Sequence, residues 1–337
     1  MISDKIRFLE SFLGDGIEVS SYNDVIFFCP KCKHHKRKLS VHLGQEKDGQ
    51  WGKFNCWVCG DEFRGRNLVS LLKYIKRNDL IIKYIESVKD AKWSNLLLSD
   101  EHDEQLETTV ELPYQFIPLS NHIFKTHNHI KHTVMLDNAI RYLVNERRLT
   151  YIDIISNLLG ISLNEKYYGY VILPSFDANG KLNYFLGRTF IGNYYRYKKC
   201  DAKSKEIIYN EINIDWQKPL LIVEGPFDVI RSHVNATCLL GSTMSRDSLL
   251  FQKIIENNVK ILLSLDPDET GKKKSIGIAS LLTEYGIDVT MVDIDSKYED
   301  IADMPQNEWK QVYKSSVADN KIINKTELLK RKLKEIM

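Results

Sequence analysis

The amino-acid sequence predicts a mixed α/β chain, α+β overall, in which a small cysteine-held ribbon precedes a parallel sheet layered with helices. Three observations carry this expectation. Apolar runs of buried-strand length at Leu220–Val223 and Lys260–Leu265 each end in acid. Between them lies room for a helix, a short strand near Thr237–Leu240 and a second helix, an order that predicts parallel pairing with right-handed crossovers. Two C-x2-C pairs, Cys29/Cys32 and Cys56/Cys59, have the pattern of a closed tetrahedral zinc site. The stretch YGYVILPSFDANGKLNYFLGRTF reads as an antiparallel hairpin turning at Asn179-Gly180.

Composition narrows the classes. With 43% hydrophobic and 27% charged residues, the chain of 337 residues reads as an ordinary globular protein with room for two or three domains. The net charge of +2 selects no partner by itself. No apolar run approaches the roughly 20 residues of a membrane span, and the opening MISDKIRFLESFLG carries acids where a signal peptide needs an apolar run. The expectation is a cytoplasmic protein without membrane contact. In that reducing compartment six cysteines point to metal before disulfides.

Taken in order, Ile6, Leu9 and Leu13 recur at helical spacing, and Gly14 and Gly16 end that helix. Val25–Phe28 reads as a strand running into Cys29. Between the cysteine pairs, Leu39, Val41 and Leu43 alternate with polar residues, Asp48-Gly49 gives a turn, and Trp51–Trp57 returns. His34, His35 and His42 are rival ligands, less favoured than the four thiols. Lys31, Lys33, Lys36, Arg37, Lys38, Arg64 and Arg66 surround the knuckles, with Trp51, Phe54 and Trp57 interleaved. Cations for phosphate and rings for bases suit single-stranded nucleic acid; the rings also suit the core of so small a ribbon. Leu68–Ile85 reads as helical, and Ser99–Glu111, crowded with acids, as a flexible linker closed by Pro113 and Pro118. His122, His127, His129 and His132 lack cysteine or acid at ligand spacing and read as a polar loop. AIRYLVNERRLTYIDIISNLLGIS reads as helix, Thr150 cap, helix. After the hairpin, Tyr194 to Lys199 mixes rings with cations.

The acids after the parallel strands carry the chemistry. Glu224 is followed by Gly225-Pro226, and Asp266-Pro267-Asp268 by Gly271. Ligands collect at the carboxyl ends of strands in such sheets. Mg2+ takes oxygen ligands and retains waters, so a few carboxylates suffice. A single acid there would read as a loop start or helix cap; acids on two neighbouring strands favour a metal. Ile276–Tyr285 is helical and Val289–Ile294 is the next strand. Asp293, Asp295, Asp300 and Asp303 then compete to complete the cluster, with Asp300 favoured. Lys272, Lys273 and Lys274 read either as phosphate contacts or as solvated charges, and Thr326–Ile336 as a short basic amphipathic helix.

Three stretches resemble parts of known families. Leu220 to Asp303, through Glu224-Gly225, Asp228, Asp266, Asp268 and Gly271, resembles the Toprim domain of primases, topoisomerases and related nucleases. CPKC, KLSVHL, FNCWVCG and NLVSLLKY resemble the zinc-binding domain of DnaG-type primases, with Cys32 where many of them carry histidine. Arg188 in a Gly-Arg motif, Arg196-Tyr197 in the place of a Lys-Tyr pair, and Tyr209-Asn210 resemble the N-terminal part of the primase RNA-polymerase domain. Two positions depart from that pattern. Tyr170 stands where the family has arginine, and the family lysine upstream of Tyr209 has Lys205 as its nearest counterpart.

The resemblance implies a DnaG-type DNA primase, most similar to the compact primases of bacteriophages. Such an enzyme is a nucleotidyltransferase that makes short RNA primers from nucleoside triphosphates on single-stranded DNA. The implied domains are a zinc ribbon (1–90), an acidic linker (91–118), a basic subdomain (119–215), a Toprim subdomain (216–303) and a helical C-terminal segment (304–337). Cys29, Cys32, Cys56 and Cys59 would hold structural Zn2+. Glu224, Asp266, Asp268 and Asp300 would be catalytic, with Asp228 supporting the Mg2+ shell. Arg188, Arg196, Tyr197, Lys198 and Lys205 would contact nucleotide and template. No GxxxxGK[ST] loop occurs in the sequence, so a separate replicative helicase is the expected partner. Two other classes fit parts of the pattern: a Toprim-type nuclease attacking DNA with water, and a non-catalytic zinc-ribbon protein that binds single-stranded DNA.

Overall fold

The computed structural model describes residues 2–19, 22–44, 50–87, 110–124, 133–192, 195–240, 243–319 and 321–336. Most of the expected acidic linker, the Asp48-Gly49 turn, His127, His129, His132 and Tyr194 lie outside the described residues. The chain divides into two units. One comprises Met1–Leu106, Gln252–Asn258 and Leu281–Ile287; the other comprises Glu107–Phe251, Val259–Ser280 and Asp288–Met337.

In the first unit, the helix Ile2–Leu13 precedes a five-stranded sheet of β1 (Ile17–Val19), β2 (Asp24–Phe27), β3 (Leu39–His42), β4 (Phe54–Cys56) and β5 (Arg64–Gly65), ordered as in the chain. All its pairings are antiparallel. Leu9, Val25, Phe27, Leu39, Val41, Leu68 and Leu71 fill its core. The single helical stretch expected over Leu68–Ile85 is two helices, Leu68–Tyr74 and Asn78–Ser87. The first is capped by Asn67 and closes at Ile75, after which Lys76 takes a left-handed conformation (φ +59°). Apolar periodicity runs across the break because both helices pack on the same core. Trp51, Phe54 and Trp57 are all buried, so they act as core and not as base-stacking platforms. Among the described residues of this unit the exposed rings are instead Phe28, with the Arg37 guanidinium 4.5 Å from its centroid, and Tyr74.

Among its described residues the second unit holds two sheets. β6 (Phe116–Pro118), β7 (Gly160–Ser162), β8 (Tyr170–Phe176), β9 (Leu182–Thr189) and β10 (Tyr197–Lys199) form an antiparallel sheet in the order β10-β9-β8-β7-β6. The β8–β9 turn has Gly180 at φ +79°, and the Asp177 carboxylate accepts from the backbone N–H of Asn179 and Lys181. Between β6 and β7, the helix Thr133–Arg141 continues through a π-turn, Tyr142–Glu146. Thr150 then caps the helix Tyr151–Ser156 in a reciprocal box with Asp153.

β11 (Leu220–Val223), β12 (Ala236–Cys238), β13 (Ile261–Leu263) and β14 (Val289–Met291) form a parallel sheet in the order β12-β11-β13-β14. The predicted parallel α/β layer is therefore present, with the two acid-tipped strands β11 and β13 adjacent at its centre. The helix Pro226–Ser232 is buried at every residue. Trp309, on the helix Gln306–Asp319, lies under it and donates its indole N–H to the Ser232 carbonyl at 3.0 Å. The helix expected from Ile276 starts about two turns earlier, at Glu269. The reason is local: the Asp268 carboxylate accepts from the Gly271 N–H at 2.6 Å, satisfying an orphan donor of the first turn. No described helix is long and apolar enough to cross a membrane.

Candidate active site and zinc site

The four paired cysteines come together, as a tetrahedral metal site requires. β2 delivers Cys29 and β4 delivers Cys56, while Lys33 (φ +51°) and Gly60 (φ +55°) turn the chain after each knuckle. The Sγ atoms of Cys29 and Cys59, and those of Cys32 and Cys56, are 3.8 Å apart, and all four lie within 4.8 Å of one another. Four sulfurs each 2.3 Å from a tetrahedral Zn2+ would sit about 3.8 Å from one another. Thiols this close compete for protons. The hydrogen bond from Cys56 holds Cys29 down at about 5, and the same bond, then burial, pushes Cys56 up. A dication that accepts four thiolates resolves this competition. The rival histidines are not in the group: His34 stacks on His35, and His42 Nδ1 is 2.7 Å from Asp24 Oδ1.

The carboxylates gather at the carboxyl edge of the parallel sheet. Glu224 follows β11 directly, and Asp266 lies three residues past β13. Asp228, in the first turn of the helix after Glu224, is buried; its Oδ2 accepts from Gly225 N–H at 3.1 Å and its Oδ1 from Ala302 N–H at 3.2 Å. This one carboxyl thus ties the Glu224 strand end to the turn bearing Asp300. Asp300 in turn accepts from Asp303 N–H at 2.8 Å. Of the four late aspartates, Asp300 is the one whose charge reaches both Asp266 and Asp228. Asp293 is engaged by Arg331 at 3.2 and 3.0 Å, Asp295 by Lys297, and Asp303 by Arg148.

Electrostatics mark the cluster. Burial, then the charges of Glu224, Asp300 and Asp268, push the Asp266 carboxyl up to about 7, with Lys274 pulling the other way. Burial is also the main cause of the upward shifts of Asp228 and Asp300. Among the described residues the acids do not converge to the mutual distance of the thiols. Mg2+, which retains water and shares its shell with substrate phosphates, accepts such a looser set. The carboxylates fit a divalent cation on a second ground: a positive charge already sits on one of them. Lys274 Nζ is 2.7 Å from Glu224 Oε1, both side chains being half-buried.

The expected basic residues divide. Arg188 pairs across strands with Tyr197, its guanidinium 4.5 Å from that ring, and its Nε donates to the Tyr142 hydroxyl at 3.1 Å. Lys198 lies 4.4 Å from the Tyr170 ring centroid and donates to the Lys166 carbonyl. Arg196 and Lys205 are exposed, while Tyr209 is buried in the core of the unit. Tyr170, at the family's arginine position, is also core, with its hydroxyl donating to the Tyr195 carbonyl at 2.7 Å.

Two arginines were not named from the sequence, and one lysine was read there only together with its two neighbours. Arg147 Nε donates to the same Tyr142 hydroxyl at 2.7 Å, its guanidinium lies 4.9 Å from the Phe227 ring, and Asp300 acts on its charge. Arg148, in a left-handed conformation, donates to the Asp303 carbonyl. Both leave the π-turn, a local irregularity frequent at functional sites. The only sequence signal was the Arg-Arg pair just before the Thr150 cap. Lys274 is the lysine, read as one of three equivalent lysines although only it reaches Glu224.

Residues 221–304 match a family model described as Toprim-like, which covers the parallel sheet from Leu221 on and the acids from Glu224 to Asp303. Comparison with curated protein sequences gives no match. Solved structures similar to the chain include the Escherichia coli primase catalytic core (17% identity, 64% of this chain and 82% of that chain, TM-score 0.49). They also include the DnaG primase catalytic domain bound to ssDNA (17% identity, 60% and 79%, TM-score 0.46). A third is the Aquifex aeolicus primase, zinc-binding and RNA polymerase domains (16% identity, 93% and 85%, TM-score 0.42).

Proposed function

We propose that the chain is a DNA primase, a nucleotidyltransferase that builds short RNA primers from nucleoside triphosphates on single-stranded DNA. One observation carries the reading. Beside the Toprim-like acids of β11, β13 and the Asp300 turn, in the same unit, stands Arg147, whose charge feels Asp300 and which shares one tyrosine hydroxyl with Arg188. Hydrolysis of DNA by metal and water needs the acids; polymerisation of triphosphates also needs fixed cations for a tetra-anionic substrate.

Arg147 and Arg188 hold the triphosphate, with forks that match phosphate oxygens. Tyr142 fixes both forks, and Tyr197 backs Arg188. Lys198 extends the basic surface, and the exposed Arg196 and Lys205 meet the template. Glu224, Asp266, Asp268 and Asp300 bind Mg2+, which when bound supplies positive charge to the phosphoryl oxygens and eases ionisation of the attacking 3′-hydroxyl. Asp228 works through its two backbone bonds, holding Glu224 and Asp300 in register. The thiols of Cys29, Cys32, Cys56 and Cys59 hold Zn2+, and the ribbon (1–90) reads the template, joined by the linker (91–118) to the basic (119–215) and Toprim-like (216–303) parts. A replicative helicase is the partner this chemistry calls for, since primers are needed where duplex is opened. The compartment is the cytoplasm, that of the host if the protein is phage-encoded.

The test incubates the protein with single-stranded DNA, Mg2+ and labelled nucleoside triphosphates, alongside Glu224→Gln and Asp268→Asn. Short RNA from the wild type and none from either variant supports the reading. DNA fragments in place of RNA mean a nuclease, a mobility shift alone means a binding protein, and full RNA yield from either variant overturns the assignment of the acids.

A further inference from the structure

The helix Glu269–Glu284 presents three consecutive lysines to three different surroundings. Lys273 pairs with Glu269 one turn back on the exposed side, at 2.6 Å. The Lys272 side chain is exposed. Lys274 is directed inward, its ammonium 2.7 Å from Glu224 Oε1, and its charge lowers the proton affinity of Asp266. The placement is built into the backbone. At Gly271 the first turn lies against the Asp266 backbone so closely that a Cβ would meet the Asp266 carbonyl oxygen at 2.2 Å. Residue 274 lies three positions further on, on the same helix face, and that face meets the carboxyl end of β11.

An ammonium bonded to a carboxylate oxygen and a divalent cation on the same oxygen are alternatives. We propose that Lys274 is a resident cation that competes with the divalent metal for Glu224 and, once displaced, contacts the phosphates of the bound nucleotide. The inference rests on the metal-and-nucleotide reading of this site. A lysine suits the role because its ammonium is a compact charge on a four-carbon stem that can swing without moving the helix. In the metal-free site it neutralises one member of a mutually repelling set. In the loaded site the metal takes over Glu224, and the triphosphate brings new negative charge. The expected consequence is ordered loading: metal affinity is low until a nucleotide offers the ammonium another partner.

The experiment measures Mn2+ binding to the whole protein by the loss of the free-ion electron paramagnetic resonance signal, without nucleotide. Wild type is compared with Lys274→Met, Lys274→Gln and, as a control for net charge alone, Lys272→Met. Both Lys274 variants are expected to bind Mn2+ about tenfold more tightly, a difference equivalent to about 1.4 kcal/mol, and Lys272→Met to match wild type. At saturating metal, calorimetric titration with ATP is expected to show affinity about tenfold weaker in the Lys274 variants, the loss of one charge-assisted contact. Equal Mn2+ affinity in wild type and both Lys274 variants overturns the competition, as does an equal gain in Lys272→Met. Unchanged ATP affinity overturns the phosphate contact. Absence of Mn2+ binding in every variant removes the metal site itself, a separate failure that RNA synthesis by the wild type would also register.

Discussion

Gly271 and Asp266 touch backbone to backbone: a Cβ on residue 271 would lie 2.2 Å from the Asp266 carbonyl oxygen and 3.0 Å from its carbonyl carbon. The neighbours are main-chain atoms, so no side-chain rotation can make room. The helix Glu269–Glu284 therefore starts where it does only because residue 271 has no side chain. Its first turn supplies the N–H that Asp268 accepts, and its next residues carry Lys274.

Gly271→Ala is accordingly expected to destabilise the protein by about 1–3 kcal/mol, the usual penalty for overpacking. It should also weaken Mn2+ binding, because Asp266 and Asp268 move with the displaced turn. Urea unfolding and Mn2+ titration check this. A variant with wild-type stability and metal affinity would mean that the helix start shifts without cost.

The zinc site makes a sharper demand. Structural zinc in small modules contributes roughly 10 kcal/mol or more of apparent binding free energy at neutral pH, and the binding is coupled to folding. Cys56→Ser is expected to lose the metal and to open residues of the ribbon to protease. Cys200→Ser and Cys238→Ser should retain full zinc, since both thiols are buried in the other unit's core. Metal analysis of protein purified without chelator is the measurement, and a Cys56→Ser protein with undiminished zinc would contradict the ligand set.

The fold was legible because its signals are local. The β11 and β13 runs are continuous apolar segments, the Asn179-Gly180 turn dictates its own hairpin, and C-x2-C fixes two thiols at a time. The acids could be placed at strand ends for the same reason. What the sequence did not disclose are pairings made across the fold. Lys274 meets Glu224 across 50 positions, and Arg188 meets Tyr142 across 46. No periodicity encodes such meetings; they follow from which helix face lands on which strand end. Burial of Trp51, Phe54 and Trp57 was equally hidden, since an aromatic suits a ribbon core and a base platform alike.

The pH dependence of stability should reflect the crowded acids. The folded-state pKa of Asp266 is raised to about 7, above its ordinary value of 3.8. The folded state therefore holds this proton more tightly than the unfolded chain does. The contribution is fully present below the unfolded value and is lost as pH rises through the folded one. In EDTA, melting temperature is expected to be lower near pH 8 than near pH 5, and Mg2+ to restore more stability near pH 8, where the carboxylates are ionised. Asp266→Asn should flatten the dependence. A melting temperature in EDTA that rises over this window, or the same fall in Asp266→Asn, would assign it to other groups.

The last prediction concerns the tyrosine between the two arginines. Tyr142 is buried, and its hydroxyl oxygen accepts from Arg147 Nε at 2.7 Å and from Arg188 Nε at 3.1 Å. Two guanidinium groups repel, so a shared acceptor is what allows both to be held near one place. Their outer faces are fixed separately, by Phe227 for Arg147 and by Tyr197 for Arg188. Tyr142→Phe retains the ring and its packing and removes only the acceptor. Each arginine should then lose orientation but not charge. In template-directed RNA synthesis, KM for nucleoside triphosphate is expected to rise about tenfold or more, since two hydrogen bonds to charged groups are lost. The turnover number should change little, because the acids are untouched. Melting temperature, measured in parallel, should stay near that of the wild type. A fall in kcat with KM unchanged would place Tyr142 in the chemical step, and unchanged kinetics would mean that the two arginines do not bind the triphosphate.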